Sequence, residues 1–315
     1  MVIIRGREVD VDVTRELEKY DWRRPRWTGD KLHACSPFRH ERHPSFAVRL
    51  DNGVWIDSGS DDEGWRKGNI IKLLAFLRNE TYQETADYLL EEYGPFAGDP
   101  DHLRLTYDLT PRTAPVSLDP AVLDEFKYRH PYLTERRGIE EKWQRAFRVG
   151  YDRKHRAVTF PWYDRQGRLV NVKFRSVTDK RFWFYGDGQP VGDHVYALNF
   201  IYKAGKRLAY VVESEIDAIT LWQAGFPAVA LGGANLSPRQ RELIIQSPLE
   251  CLVVATDNDK AGRRIARTIA GQLGGFKAVQ AIDLPGHVKD VNDLTREELL
   301  EVAARTRAMP FNFAA

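Results

Sequence analysis

The amino-acid sequence predicts an α/β fold, α+β overall, with a parallel-sheet domain in the carboxyl-terminal part of the chain. Strand and helix patterns alternate from residue 207 onward, which is typical of a parallel sheet covered by helices. Short alternating apolar runs between residues 156 and 185 predict an antiparallel meander before it. The Trp-, Arg- and His-rich amino-terminal residues predict a small domain of their own. A chain of 315 residues has room for two or three such units.

The composition places the chain among ordinary globular proteins. Charged residues make up 29% and hydrophobic residues 43%, which excludes a largely disordered chain. The formal net charge of +2 leaves a nucleic-acid partner open, because binding depends on where Lys and Arg cluster. Cys35 and Cys251 are too few for a disulfide framework or a four-cysteine zinc site.

The amino-terminal residues MVIIRGREVDVDV carry charge early and lack the apolar core of a signal peptide. No window approaches the roughly 18 apolar residues of a membrane span. We therefore expect a cytoplasmic protein without a membrane partner.

Four segments are predicted along the chain. Residues 1–108 form a small domain that ends in a helical pair, Asn69 to Asn79 and Tyr82 to Tyr93, with apolar residues at helical spacing. Residues 109–120 carry three prolines without apolar periodicity and predict a linker. Residues 121–206 form a lobe in which Ala121 to Gly150 is helical and the meander follows.

Residues 207–315 form the parallel-sheet domain. The apolar runs LAYVVE, AVAL, CLVVAT and AVQAIDL predict its strands. Helices are expected between them, near Ile216 to Ala224, Pro238 to Gln246 and Ala261 to Leu273.

Acidic residues follow three of these four strands. Glu213 ends the first strand and Asp217 follows it; Asp257 and Asp259 end the third; Asp290 follows the fourth. Because ligands bind outside the carboxyl ends of parallel strands, these carboxylates should converge at one edge. Like charges a few ångströms apart repel unless a cation neutralises them. Oxygen ligands without His or Cys favour Mg²⁺ or Mn²⁺ and phosphate chemistry.

The alternative is that these acids are helix caps and solvated loop residues. Any one of them alone would be assigned so, and Glu215 is left in that class. Their joint placement favours a metal site.

At this point the sequence resembles a family. VVESEID, LGGAN, DNDKAGRR and KDVNDL are similar, in order and spacing, to the motifs of the TOPRIM domain. The resemblance implies that Glu213 transfers protons, that Asp257 and Asp259 bind metal, and that Asp217 supports them. In DnaG-type primases a further Asp-x-Asp contributes to the metal cluster. Here its first member is Asp290 and its second is Asn292, a departure that puts one metal site in doubt unless Asp293 compensates.

The segment before the parallel sheet selects among TOPRIM enzymes. YLTERRGIEEKWQRAFRVGYD and HRAVTFPWYDRQGRLVNVKFRSV resemble the amino-terminal lobe of the DnaG polymerase domain, in which Arg156, Lys173 and Arg175 match basic positions that face the catalytic groove. Basic groups track phosphates, and exposed aromatic rings stack bases. Most of the interleaved aromatics are expected in the sheet core. Lys260, at a helix start, is a further candidate nucleotide contact or a solvated residue.

The string ACSPFRHERHPSFAV resembles the primase zinc ribbon, but its metal ligands are missing. Ser36 stands where a ligand Cys belongs, Arg39 where the His belongs, and the later Cys pair is absent. No zinc is therefore expected. Cys35, His40 and His43 are the alternative, a shifted site, but they supply three ligands and no fourth. A salt-bridged substitute is predicted instead, with Trp55 and Trp65 packed beside it and with these charged members: Arg39, Arg42, Asp57, Asp61 and Asp62.

The resemblance implies a DNA primase that synthesises short RNA primers on single-stranded DNA from ribonucleoside triphosphates, similar to primases of mobile elements such as phages. Two alternatives stay open: a TOPRIM nuclease, and a non-catalytic replication-associated DNA-binding protein. The sequence has no Gly-x-x-x-x-Gly-Lys-Ser/Thr loop, so a separate replicative helicase is an expected partner. Met309, Phe311 and Phe313 are a candidate docking peptide, with ordinary packing as the alternative.

Overall fold

A computed structural model describes residues 1–94 and 117–309. The described residues divide into two compact units, one of residues 1–94 with 179–181 and one of residues 117–178 with 182–309. The predicted linker lies largely outside the described residues. Its last four residues belong to the second unit, where the Leu118 amide donates to the Leu169 carbonyl at 2.8 Å.

The amino-terminal unit is built on an antiparallel sheet of five strands, which pair in sequence order. A short hairpin and a one-turn helix precede this sheet. The elements are β1 (Val2–Ile4), β2 (Arg7–Val9), α1 (Val13–Leu17), β3 (Arg26–Trp27), β4 (Lys31–Ala34), β5 (Phe46–Arg49), β6 (Trp55–Asp57) and β7 (Lys67–Gly68). Phe38 lies at the centre of the aromatic core, with ring centroids 4.9 Å from Trp55 and Trp65 and 4.8 Å from Phe76.

The predicted helical pair of this unit is confirmed as α2 (Ile70–Arg78) and α3 (Tyr82–Tyr93). The Asn69 side chain caps α2, and the left-handed Asn79 ends it. Thr81 and Glu84 form a capping box that starts α3.

The predicted salt-bridged cluster forms around Arg39 and Asp57, but its other members differ from those predicted. The Arg39 Nη2 atom lies 2.9 Å from Asp57 and 2.5 Å from Glu41, and it donates to the Ser45 hydroxyl at 2.5 Å. Glu41 and Ser45 were not expected there. Arg42 is instead held through its backbone carbonyl, which accepts from Arg24 at 2.6 Å.

The second unit begins with a segment that was predicted to be helical up to Gly150. It contains short separate turns instead: a 3₁₀ turn (Pro120–Phe126), a π turn (Tyr132–Arg136) and α4 (Glu141–Ala146). Pro131 and Gly138 lie between these turns and interrupt a continuous helix.

The predicted meander is confirmed as an antiparallel sheet of β8 (Gly150–Asp152), β9 (Ala157–Tyr163), β10 (Leu169–Ser176) and β11 (Phe182–Phe184). The turn from Asp164 to Gly167 joins β9 to β10. Phe160, Trp162 and Phe174 are buried, which confirms the prediction that most of these aromatics form the core. A 3₁₀ turn (Val191–Asp193) and α5 (Leu198–Ala204) follow, and α5 was not predicted.

The carboxyl-terminal sheet has the predicted alternation of strands and helices. Its parallel strands pair in the order β13-β12-β14-β15. The elements are β12 (Leu208–Val212), α6 (Glu215–Ala224), β13 (Ala228–Ala230), α7 (Pro238–Gln246), β14 (Cys251–Val254), α8 (Lys260–Leu273), β15 (Ala278–Ala281), a 3₁₀ turn (Val291–Asp293), α9 (Arg296–Ala304) and β16 (Arg307–Ala308).

Strand β16, near the end of the described chain, is the last strand of the sheet and pairs antiparallel with β15. Met309 continues this pairing, with its amide donating to the Val279 carbonyl at 3.0 Å and its side chain against the core. Phe311 and Phe313 lie outside the described residues. The predicted fold class is confirmed, whereas the zinc-ribbon character of the first unit stays a prediction. In residues 1–94 and 117–309, no helix is long and apolar enough to cross a membrane.

Candidate active site

The predicted acidic residues meet at the carboxyl edge of the parallel sheet. Glu213 directly follows β12, and Asp257 lies in the turn after the neighbouring strand β14. The Asp257 amide donates a hydrogen bond to the Glu213 carboxylate at 3.1 Å, which ties the two strand ends together.

Burial and mutual repulsion make these carboxylates hard to ionise. Burial, with Asp257 and Asp259 nearby, raises the pKa of Glu213 well above its ordinary range. Burial also raises the pKa of Asp257. The adjacent Lys289 lowers this pKa, whereas the repulsion of Asp290 and Asp259 raises it further. When ionised, these carboxylates carry more negative charge than the cations beside them neutralise.

Asp217 extends the cluster along α6. It is buried, and it accepts from the Ser214 hydroxyl at 2.6 Å, in a helix start that Ser214 also caps. Burial, followed by the charges of Asp290 and Asp257, raises the pKa of Asp217 well above its usual value. Burial and the adjacent Asp293 likewise raise the pKa of Asp290.

Lys289 is a cation in direct contact with this cluster, and no role was predicted for it from the sequence. Its Nζ atom lies 2.6 Å from Asp257 and 3.8 Å from Asp259. Desolvation by burial lowers the pKa of Lys289. The negative charges of Asp257, Asp259 and Asp290 outweigh desolvation, so the pKa is raised.

The donor atoms at this edge fit a hard divalent cation, because all of them are carboxylate oxygens whose repulsion such an ion relieves. The arrangement is nevertheless not a closed metal site. Across the described ranges 1–94 and 117–309, no three Asp, Glu, His or Cys side chains lie close enough to hold an ion as they stand. The Lys289 ammonium lies within 4 Å of both Asp257 and Asp259, at 2.6 and 3.8 Å. The assignment of metal ligands, and the expectation of no zinc, therefore stay predictions.

Asp259 is positioned as the N-cap of α8, since its carboxylate accepts from the Gly262 amide at 2.9 Å. Gly262 allows α8 to start this close to the Asp257 turn, because a Cβ atom there would lie 1.9 Å from the Asp257 carbonyl oxygen. Lys260 is exposed in the first turn of the same helix. A helix start of this kind favours anions.

Asn292, which departs from the family's Asp-x-Asp pattern, has a structural role. Its amide nitrogen donates to the Arg137 carbonyl and to the Thr220 hydroxyl, both at 2.8 Å, and its oxygen accepts from Arg137 at 3.3 Å. An aspartate could not donate the first of these bonds. Asp293 accepts from the Lys289 amide at 3.2 Å and so shapes the Asp290 loop.

Arg137 brings a second positive group to the acidic edge. It donates to the Tyr132 hydroxyl at 3.1 Å. Desolvation by burial disfavours the charged form of Arg137. Tyr132, Asp290 and Asp217 outweigh it and raise the pKa of Arg137 above its ordinary value. Arg175 lies beside the same tyrosine and helps to lower its pKa. In the part of the chain that the structure describes, the Arg175 Nε atom is buried without a hydrogen-bond partner. Arg137 was missed because a basic pair on a short turn resembles any solvated surface.

Two expectations change at the buried contact between β10 and α6. Glu215, assigned to a solvated cap, is 3% exposed and accepts from the Trp162 indole at 3.0 Å. Lys173, expected in an open groove, is 2% exposed and pairs with Glu215 at 3.3 Å. Its ammonium also donates to the Gly232 carbonyl at 3.3 Å. Strand alternation on β10 turns Lys173 inward, and Glu215 faces it from the first turn of α6. The sequence pattern could not establish this pairing.

Arg156 is placed apart from the cluster. It is exposed in the turn between β8 and β9, with a left-handed φ of 52°. Within the described part of the chain, no ion pair joins it to the carboxylates. Its predicted contact with nucleic acid stays a prediction.

The geometry agrees with comparisons to known proteins. A family model described as Toprim-like matches residues 210–295, which span the strand ends that carry the acidic cluster. This part of the chain is therefore a Toprim-like domain, and the predicted recognition of that domain is confirmed.

The rest of the chain is similar to bacterial DNA primases. The DNA primase of Clostridium acetobutylicum is 22% identical over 88% of this chain and 54% of its own length. That of Helicobacter pylori is 23% identical over 96% of this chain and 61% of its own length. The chain thus spans little more than half the length of these relatives. It is a relative of the DnaG-type primases that carries their TOPRIM domain.

The fold is shared with a solved primase. A structure of the zinc-binding and RNA polymerase domains of the Aquifex aeolicus primase matches with a TM-score of 0.51 and 19% identity. The match covers 95% of this chain and 84% of that one. The similarity thus extends over both units and shows a common fold.

Proposed function

We propose that this protein is a DNA primase, a nucleotidyltransferase that synthesises short RNA primers on single-stranded DNA during DNA replication. One observation carries the proposal: buried and half-buried carboxylates with raised pKa values converge at the carboxyl edge of a Toprim-like parallel sheet. The similarity to DNA primases along most of the chain supports it.

The carboxylates divide into two roles. Asp257, Asp259 and Asp290 are the candidate ligands of Mg²⁺ or Mn²⁺, and Asp217 supports them from α6. When bound, such ions neutralise the charge of the reacting phosphates. Glu213 is suited to hold and release a proton, because burial and its acidic neighbours raise its pKa above the ordinary range.

Basic groups around the acidic edge would position the substrates. Arg137 and Arg175 belong to the lobe that precedes the parallel sheet, and Lys260 lies on α8. Their charges suit nucleotide phosphates or the template backbone. Lys173 acts indirectly, because its pair with Glu215 holds β10 against α6. The proposed partners are single-stranded DNA, ribonucleoside triphosphates and a separate replicative helicase.

The test is primer synthesis by the full chain on single-stranded DNA of mixed sequence, with labelled ribonucleotides and Mg²⁺ or Mn²⁺. Asp257→Ala is the test variant, and Asp187→Ala, at an exposed position in the loop after β11, is the matched control. We expect short RNA products from the wild type and the control, and none from Asp257→Ala.

Other outcomes would replace the proposal. Metal-dependent cleavage of DNA without nucleotides would identify a TOPRIM nuclease. Binding of single-stranded DNA with neither reaction would identify a non-catalytic replication protein.

A further inference from the structure

A second charged site lies in the lobe before the parallel sheet. A pocket of about 400 Å³ opens between the 3₁₀ turn Pro120–Phe126, the carboxyl end of α4 and strand β9. Its charged lining consists of Lys127, Arg129, Arg145, Arg148 and one acid, Asp124. None of these residues belongs to the acidic edge.

The positive charge of this pocket is poorly neutralised. Lys127 lies 3.9 Å from Asp124, and both side chains are about three-quarters exposed, at 70% and 76%. Arg145 pairs at 2.8 Å with the exposed Glu141, whose carboxylate is outside the pocket lining. Exposed pairs of this kind contribute little. The pocket therefore attracts an anion.

Arg129 is held in place by the backbone rather than by an acid. Its guanidinium donates to the carbonyls of Tyr128 and Lys127 at 3.2 and 3.4 Å. Partial desolvation, together with the nearby Arg145 charge, lowers the pKa of Arg129. Arg129 and Arg145 thus line the same pocket, and their positive charges repel each other there.

One residue of the pocket wall carries a buried hydroxyl group. Thr159 on β9 is 1% exposed, and among residues 1–94 and 117–309 its hydroxyl has no hydrogen-bond partner. Buried polar groups without partners are uncommon, and each asks for an explanation. The apolar remainder of the wall includes Leu123, Phe126 and Val149, which can cover a flat ring.

Arg148 occupies a position that favours glycine. It follows α4 with a left-handed φ of 53°, and the Val149 amide behind it donates to the Gln144 carbonyl at 2.8 Å. Glycine is the usual residue at such helix ends, and a large side chain costs about 1 kcal/mol there. The Arg148 guanidinium lies near the Tyr163 hydroxyl, whose raised pKa it partly offsets, and it also lines the pocket.

We propose that this pocket binds the phosphate group of a nucleotide, with Arg129, Arg145 and Arg148 as the phosphate ligands and the apolar wall against the base or sugar. The ligand is either a free mononucleotide or the phosphorylated 5′ end of a strand. Both present the same chemistry to the pocket, and the pocket volume suits one nucleotide unit.

The experiment is calorimetric titration of the full chain in EDTA, which removes divalent ions from the acidic edge. The probes are ATP and a short oligonucleotide with and without a 5′ phosphate. The variants are Arg148→Gly and Arg129→Ala. Arg239→Ala, which removes an exposed arginine from α7, is the matched control.

We expect at least one phosphorylated probe to bind, and either pocket variant to weaken it about tenfold or more while the control does not. Arg148→Gly should unfold at the same temperature or higher, since glycine relieves the backbone. Tighter binding of the phosphorylated oligonucleotide over the unphosphorylated one assigns the strand end, and binding of ATP alone assigns the mononucleotide. Absence of binding, or binding unchanged in both pocket variants, would overturn the proposal.

Discussion

Carboxylates removed from solvent have their pKa values shifted in opposite directions in the two units of this protein. In the amino-terminal unit, Asp57 is fully buried, yet Arg39 lies 2.9 Å from it. Burial raises the pKa of Asp57, but the hydrogen bonds of Arg39, Ser36 and Ser45 outweigh it and lower the pKa. At the carboxyl edge of the parallel sheet, the pKa values of Glu213 and Asp217 are raised instead.

The difference separates a structural cluster from a reactive one. Asp57 has a cation and hydroxyl groups within the fold, so its charge is balanced without any ligand. The acidic edge carries excess charge that the fold leaves unbalanced, at a cost to stability. Destabilising clusters of like charge are typical of sites that bind a ligand or carry out a reaction.

The largest expected effect is the loss of primer synthesis in Asp259→Asn. Asparagine caps helices as well as aspartate does, so the hydrogen bond to Gly262 and the start of α8 should survive. The charge that would hold a divalent ion is lost. We expect the rate of primer synthesis to fall about 1000-fold, equivalent to about 4 kcal/mol, with an unchanged unfolding temperature.

The matched control for this prediction is Asp12→Asn. Asp12 caps α1 in the amino-terminal unit through the Arg15 amide, at 2.9 Å. The same chemical change there should leave synthesis intact. Full activity of Asp259→Asn would remove Asp259 from the metal site.

The next effect concerns a balanced pair inside the catalytic unit. Glu215→Ala leaves Lys173 buried without its carboxylate and removes the acceptor of the Trp162 indole. We expect a loss of about 3 kcal/mol in the free energy of unfolding, measured by urea titration. Combining Lys173→Met with Glu215→Leu should cost less than Glu215→Ala alone. An equal or greater loss in the double variant would show that the pair stabilises by its charges.

Local patterns, rather than long-range contacts, decided which elements could be predicted. The helices α2, α3 and α7 were predictable because each has apolar spacing and a capping residue such as Asn69, Thr81 or Ser237. The strand ends that carry Asp257 and Glu213 were predictable because short apolar runs alternate with helical segments in this part of the sequence. The segment from Ala121 to Gly150 was not, because its short turns are held by tertiary contacts such as the bridge from Lys127 to Tyr151.

The candidate site was predictable to the same degree. Its acids follow strands and could be located, whereas Lys289 and Arg137 join it through loops whose paths the sequence does not define. Lys173 and Glu215 were misplaced because both are charged, and only their pairing across β10 and α6 makes their burial tolerable.

A smaller effect should follow from adding divalent ions. Mg²⁺ or Mn²⁺ at ten times its dissociation constant stabilises the folded state by about 1.4 kcal/mol. For a unit of this size, that raises the unfolding temperature by about 3 to 6 °C. Scanning calorimetry with and without the ion, at constant ionic strength, measures the shift. The shift should vanish in Asp257→Ala, and a shift of equal size in that variant would place the ion elsewhere.

The smallest effect concerns the balanced cluster and has a defined sign in pH. Because the pKa of Asp57 is lowered in the fold, its ionised form stabilises the folded state. This stability is present above the unfolded pKa of about 3.9 and is lost as the pH falls through the folded value. The wild type should therefore lose stability below about pH 4 more steeply than Asp57→Asn, by at most about 1.4 kcal/mol per pH unit for one proton. Urea unfolding of both proteins between pH 2 and pH 6 measures the two slopes. Parallel slopes would mean that Arg39 does not stabilise the Asp57 charge, and the contrast between a balanced cluster and an unbalanced acidic edge would then have to be abandoned.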